Sequence, residues 1–148
     1  MSNHLSPGHV VRSLMQGISD GAWKDLHAWF SDDAVVEYPF ALPSPTRLEG
    51  MEAIKKYFAA ISVYPMKLKM RDMVVHETSD PEVVVAEWDY DGLVTTTGKT
   101  FRVSNITVTR VRNGKIVASR DYHNHAVLAA VMGRLPSVVE AMSKSSAR

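Results

Sequence analysis

The chain has 148 residues, 45% of them hydrophobic, with a formal net charge of +1 and no cysteine. That length suits one domain with its own core, and the balanced charge argues against a nucleic-acid binder, which carries a basic excess on one face. The lack of thiols excludes disulfides, thiolate catalysis and cysteine-based metal sites. No stretch is apolar for the length a bilayer span needs, and Met1–Pro7 lacks the apolar core of a signal peptide. A cytoplasmic protein without a membrane partner is therefore expected, with residues 1–148 forming one domain and residues 1–8 and 143–148 as flexible tails.

In chain order, Val10, Val11, Leu14, Met15 and Ile18 recur at helical spacing and predict a helix over 9–19, stopped at Asp20-Gly21. A second, short helix is expected through Trp23, Leu26 and Phe30, ended by Ser31-Asp32-Asp33. Val35–Tyr38 reads as a short strand closed by Pro39, and Leu42–Gly50, with two prolines and a glycine, reads as loop. Ile54, Tyr57, Phe58 and Ile61 share one face of a third helix over 51–61.

The period then changes to two. Met66, Leu68 and Met70 alternate with Lys67, Lys69 and Arg71, giving a strand with a basic face best explained by solvation. Further strands are expected over 83–91, 100–111 and 115–123, with a turn region at 92–98 and a tight hairpin at Asn113-Gly114. Val127, Leu128, Val131, Met132 and Leu135 suggest a last helix interrupted near Pro136. Helices followed by antiparallel strands make an α+β domain. A curved sheet wrapped round a long helix leaves a cavity suited to a ligand.

On the last strand, Ser119, Asp121 and His123 alternate and so share a face. On the strand before it, Asn105 and Thr107 share another. A three-residue hairpin loop would place Asn105 opposite Asp121, and a two-residue loop would place Ile106 there. The first is preferred, because a carboxylate in a cavity needs donors. The plain alternative is a structural salt bridge between Asp121 and an arginine. His123 could relay a proton or orient a ligand, or simply pack at the strand end. A His123/His125 metal site lacks a third ligand, so no metal is expected.

The runs Asp20–Leu26 and Phe30–Phe40, with Glu87–Tyr90, Thr97–Lys99, Gly114–Ile116 and Arg120–Tyr122, resemble the nuclear transport factor 2-like superfamily. Within it the chain is most similar to the SnoaL-like, ketosteroid isomerase and limonene epoxide hydrolase branches. The resemblance implies a cone-shaped sheet round N-terminal helices, a homodimer formed through the outer sheet face, small apolar or aromatic ligands, and no cofactor. It places Asp121 at the acid/base aspartate of the cyclases and at the water-activating aspartate of the epoxide hydrolase. It places Tyr38 where ketosteroid isomerase has its base. A phenol with a pKa near ~10 is a poor base, so Tyr38 is expected to donate a hydrogen bond instead. Leu14 and Thr107 fall near that isomerase's oxyanion groups without matching them. Trp88 and Tyr90 replace the arginine and second aspartate of the epoxide hydrolase, leaving flat aromatic walls.

The expected catalytic set is therefore Asp121, His123 and Tyr38. Trp88, Tyr90, Asn105, Thr107 and Phe40 are expected to contact the substrate. The reaction implied is isomerase- or cyclase-type proton transfer on a carbonyl-bearing ring. A binding protein using the same pocket is the alternative, and a partner-binding module using the sheet face is a third.

Overall fold

The computed structural model describes residues 4–146. The first helix, α1 (Pro7–Ser19), begins where the Ser6 hydroxyl accepts from the His9 amide at 3.2 Å and proline takes the first helical position. It buries Val10, Val11, Leu14 and Met15 against the sheet. Of the two expected tails, residues 1–3 and 147–148 lie outside the described residues. Pro7 and Gly8 are instead helical, as are Ser143–Ser146 at the end of α4.

The strands are β1 (Phe30–Tyr38), β2 (Thr46–Glu49), β3 (Met66–Glu77), β4 (Val83–Val94), β5 (Thr100–Arg112) and β6 (Lys115–His123). They form one mixed sheet in the order β2-β1-β6-β5-β4-β3, antiparallel except for the parallel pair β1/β6. Helix α2 (Gly50–Ser62) lies across β1 and buries Ile54 and Phe58. Two short helices, α3 (His125–Val131) and α4 (Leu135–Ser146), follow the sheet. The sheet is open, and α1 and α2 fill its concave side.

Five expectations change. The second helix shrinks to a 3-10 turn at Leu26–Trp29, because β1 already starts at Phe30. Ser31, Asp32 and Asp33 sit within β1 where its pairing with β6 slips between Phe30 and Val35, so these polar residues bulge outward. The proline-containing loop holds β2, which pairs with β1 from Val35↔Glu49 to Tyr38↔Thr46. Strand β4 continues through Gly92, which pairs with Phe101. The C-terminal break comes at Gly133 rather than Pro136. Gly133 has φ 69°, its amide donates to the Ala130 carbonyl at 3.1 Å, and the Arg134 amide donates to the Ala129 carbonyl at 2.8 Å. That pair of bonds is a Schellman stop, and Pro136 is accommodated in the first turn of α4.

The Asn113-Gly114 turn has two residues, both with positive φ (53° and 75°), and opposes Arg112 to Lys115. Neither expected register follows from it. Val111 pairs with Ile116 but Arg110 pairs with Ala118, so Val117 is an extra residue in β6. This bulge turns Ile116 and Ser119, three apart in sequence, to the same buried face. It sets Thr107 opposite Asp121 and Asn105 opposite His123.

Candidate active site

The concave face of the sheet, α1, α2 and the C-terminal helices enclose a cavity of about 360 Å³. Its walls are mostly apolar, from Leu14, Met15 and Ile18 of α1 to Leu128, Met132 and Val138 of the C-terminal helices. Asp121, His123, Tyr38, Trp88, Tyr90 and Asn105 all line it. Each sits on an inward position of its strand: Tyr38 ends β1, Trp88 and Tyr90 alternate on β4, and Asp121 and His123 alternate on β6.

Asp121 is 9% exposed. The Thr107 and Ser119 hydroxyls each donate to its Oδ1 at 2.6 Å. Behind them, Thr109 lies 2.9 Å from Thr107 and 3.2 Å from Ser119, hydroxyl to hydroxyl, completing a buried cluster. Oδ2 has no hydrogen bond among the described residues and remains accessible from the cavity. No lysine or arginine pairs with Asp121 among the described residues, so the structural salt bridge is not its role. Its negative charge contributes to raising the pKa of Tyr38, Tyr57 and Tyr90.

Asn105 fixes the chemistry of His123. The Asn105 Nδ2 donates to the Val103 carbonyl at 3.1 Å and reaches toward the Trp88 carbonyl at 3.5 Å. Oδ1 is thereby left to accept from His123 Nδ1 at 2.7 Å. Nδ1 therefore carries the proton and Nε2 offers a lone pair. Burial lowers the His123 pKa, opposed by the Asp121 charge, and this favours the neutral ring.

Tyr38 is buried and stacked on Tyr57, ring centroids 5.0 Å apart. Burial first, then Tyr57 and the Asp121 charge, push its phenol well above the ordinary range. Burial likewise pushes Tyr57 up to about 12. Both remain neutral O–H groups at any ordinary pH. The Tyr90 hydroxyl donates to Met15 Sδ at 3.6 Å, and burial raises its pKa with Trp88 opposing. The Trp88 indole N–H is buried and has no hydrogen-bond partner among the described residues. Trp88 and Tyr90 thus stand in the cavity wall.

Two residues expected to contact the substrate lie off this cavity. Phe40 follows the end of β1 and turns away to the outer face, 64% exposed, with its ring edge-on to Tyr122 at 5.1 Å. Thr107 is fully buried and does not line the cavity; it acts through Asp121. Several polar lining residues, Arg134 among them, were given no role from the sequence. Ser119 was seen to share the Asp121 face but was given no role. Tyr57 lies within an apolar helical stripe and read as core. His125, weighed from the sequence as half of a metal pair with His123, lines the cavity with its Nε2 buried and unpartnered. Burial first, then His123, push its pKa down to about 4. No cluster of three or more metal-ligating side chains occurs among the described residues, and no helix there is long and apolar enough to cross a membrane.

Residues 11–119 match the SnoaL-like domain family. The chain belongs to that family. A curated relative, the uncharacterized protein YesE of Bacillus subtilis, is 37% identical over 117 residues, covering 74% of this chain and 78% of the relative. A solved Bacillus subtilis structure named "putative isomerase" superposes with a TM-score of 0.76 at 34% identity, covering 85% of this chain and 91% of that one. A Xanthomonas campestris structure named "putative polyketide cyclase" gives a TM-score of 0.70, covering 84% of this chain and 94% of that one; at 21% identity it speaks to the fold alone. The SnoaL-like match ends at Ser119, so Asp121 and His123 stand on their geometry.

Proposed function

We propose that this SnoaL-like protein is an isomerase- or cyclase-type enzyme that moves a proton on an apolar, carbonyl-bearing ring. One observation carries the reading. Asp121 is held at Oδ1 by two neutral hydroxyls at 2.6 Å each, while Oδ2 is left open to an apolar cavity. Neutral donors fix a carboxylate without cancelling its charge, so it keeps the capacity to act as a base. The family membership and the name borne by the Bacillus subtilis structure are consistent with this class of chemistry.

In this mechanism Asp121 Oδ2 takes a proton from the carbon next to a carbonyl. The C–H electrons form the enolate, and negative charge develops on the carbonyl oxygen. Tyr38, a neutral phenol that the cavity cannot easily ionise, donates to that oxygen. Asp121 then returns the proton to a second carbon, completing an isomerisation. Alternatively the enolate carbon attacks a second carbonyl of the same molecule, and the new alkoxide takes the proton to close a ring. The His123 Nε2 lone pair accepts a hydrogen bond from a substrate or enol hydroxyl and can pass its proton on.

Solvent deuterium exchange tests this. In D₂O, the wild-type protein should accelerate exchange of the protons beside the carbonyl of 1-tetralone and 2-tetralone, followed by NMR. Asp121→Asn should lose about 10²–10⁴-fold of that acceleration, the contribution of one positioned proton-transfer group. Tight ketone binding with no acceleration by wild type would leave a carrier as the better account.

A further inference from the structure

We infer that the outer end of the same cavity is an anion subsite built on Arg134, and that the ligand is an apolar ring bearing a carboxylate. For the inner end this rests on the proposed proton-transfer reading; the outer end is argued independently. Arg134 lines the cavity yet is solvent-exposed, which places it at the mouth, whereas Asp121 is buried. Its backbone is not loose. Its amide is fixed to the Ala129 carbonyl at 2.8 Å by the Schellman stop, and its carbonyl accepts from the Ser137 hydroxyl at 2.8 Å. The turn thus aims one arginine at the opening.

That arginine is unlike the strand arginines. Arg47, Arg71, Arg102, Arg110 and Arg112 each pair with a carboxylate, and the Arg120 guanidinium lies 5.8 Å from the centroid of the Tyr122 ring. Among the described residues the Arg134 guanidinium has no such partner. It and the two histidines, His123 and His125, are the basic side chains lining the cavity, and burial keeps the histidines neutral. A planar guanidinium offers paired N–H donors that fit a carboxylate.

Charge then fixes how a ligand lies. An anionic group beside Asp121 would be desolvated next to an uncompensated negative charge, with no cation to offset it. At the mouth the same group keeps part of its hydration and meets Arg134. Leu128, Met132 and Val138, on the C-terminal segment that also carries Arg134, add apolar surface to the wall. A carboxylate at the outer end and a ketone at the inner end is the one polarity the cavity accepts.

The test uses 3-benzoylpropionate, an aryl ketone with a carboxylate, and its neutral methyl ester, with binding followed by calorimetry. Wild type should prefer the acid by about tenfold or more, and the preference should shrink as salt is raised. Arg134→Gln should bring acid and ester to equal affinity without weakening the ester, and Arg134→Lys should keep part of the preference. Equal binding of the two probes by wild type, a preference that survives Arg134→Gln, or no binding of either probe at millimolar concentration would each overturn the subsite. Asp121→Asn separates the two ideas. If the anion subsite is right and the proton-transfer reading wrong, the acid preference persists in every form with Arg134 while no form exchanges deuterium.

Discussion

Strand β4 carries its carboxylates on the convex face and β6 carries Asp121 on the concave one, in opposite settings. On the convex face Asp91 is paired with Arg71 and Arg102, and Glu82, in the turn just before β4, is gripped by Arg110 and Arg112. His76 and Glu87 meet across β3 and β4 at 2.8 Å. On the concave face Asp121 has no cation, only hydroxyl donors. The outer carboxylates have their charge matched by guanidinium groups, in water that screens it further. The inner one meets no opposite charge and lies in a low-dielectric cavity, where electrostatic interactions with other groups are stronger. The same strands can therefore brace the sheet on one side and hold a reactive group on the other.

The largest expected effect comes from neutralising the inner carboxylate, by Asp121→Asn, with the loss of exchange already given. Next comes its support. Thr107→Val keeps the shape but removes a donor to Oδ1, and Ser119→Ala removes the other. Each should lower the exchange rate less than Asp121→Asn does. Thr107→Val should also cost about 1–3 kcal/mol of stability, because buried polar partners lose a bond. The two changes share one acceptor, so their combined effect should depart from additivity in a double-mutant cycle. Wild-type rates in both variants would mean that the hydroxyl cluster serves folding only.

The strand alternation, helices α1 and α2 and the shared face of Ser119, Asp121 and His123 were legible in the sequence, because burial on one face writes a period of two or of 3.6. The partner of Asp121 was not. Turn length sets register only while the ladder is regular, and the extra Val117 shifts the pairing beyond it to Thr107. Phe40 lies off the cavity because β1, and with it the alternation of faces, ends at Tyr38. Tyr57 and His125 were missed for a different reason. A tyrosine in an apolar helical stripe looks the same whether its hydroxyl meets core or cavity, and only the hollow beneath α2 decides.

The histidines give a smaller effect, read as stability against pH. The folded-state pKa of His125, about 4, lies below its ordinary value of 6.5, and that of His123 is also lowered. Between those values the unfolded chain binds more protons than the folded one. Stability should therefore be full above about pH 6.5 and fall as the solution is acidified toward 4. His125 is only partly buried, which limits the size of the change. Thermal melts across this range should show a shallower slope for His125→Gln than for wild type. An unchanged slope would mean that His125 is protonated at no cost in the folded protein.

The smallest effect is expected on the outer face, and it runs over a different pH window. Glu82 accepts from Arg110 Nη1 at 2.9 Å and from Arg112 Nε at 2.8 Å, and hydrogen bonds from Arg112 and then Arg110 hold its pKa down at about 2. The ordinary value is 4.5, so its contribution is complete above that pH and lost as the pH falls through about 2. Glu82→Gln should change the melting temperature little near neutrality, remove part of the acid sensitivity below pH 4.5, and leave deuterium exchange as in wild type. High salt should weaken what difference remains, since these groups face water. If Glu82→Gln instead reduced exchange as much as Thr107→Val, the two faces of the sheet would be coupled, and the separation of bracing from chemistry would fail.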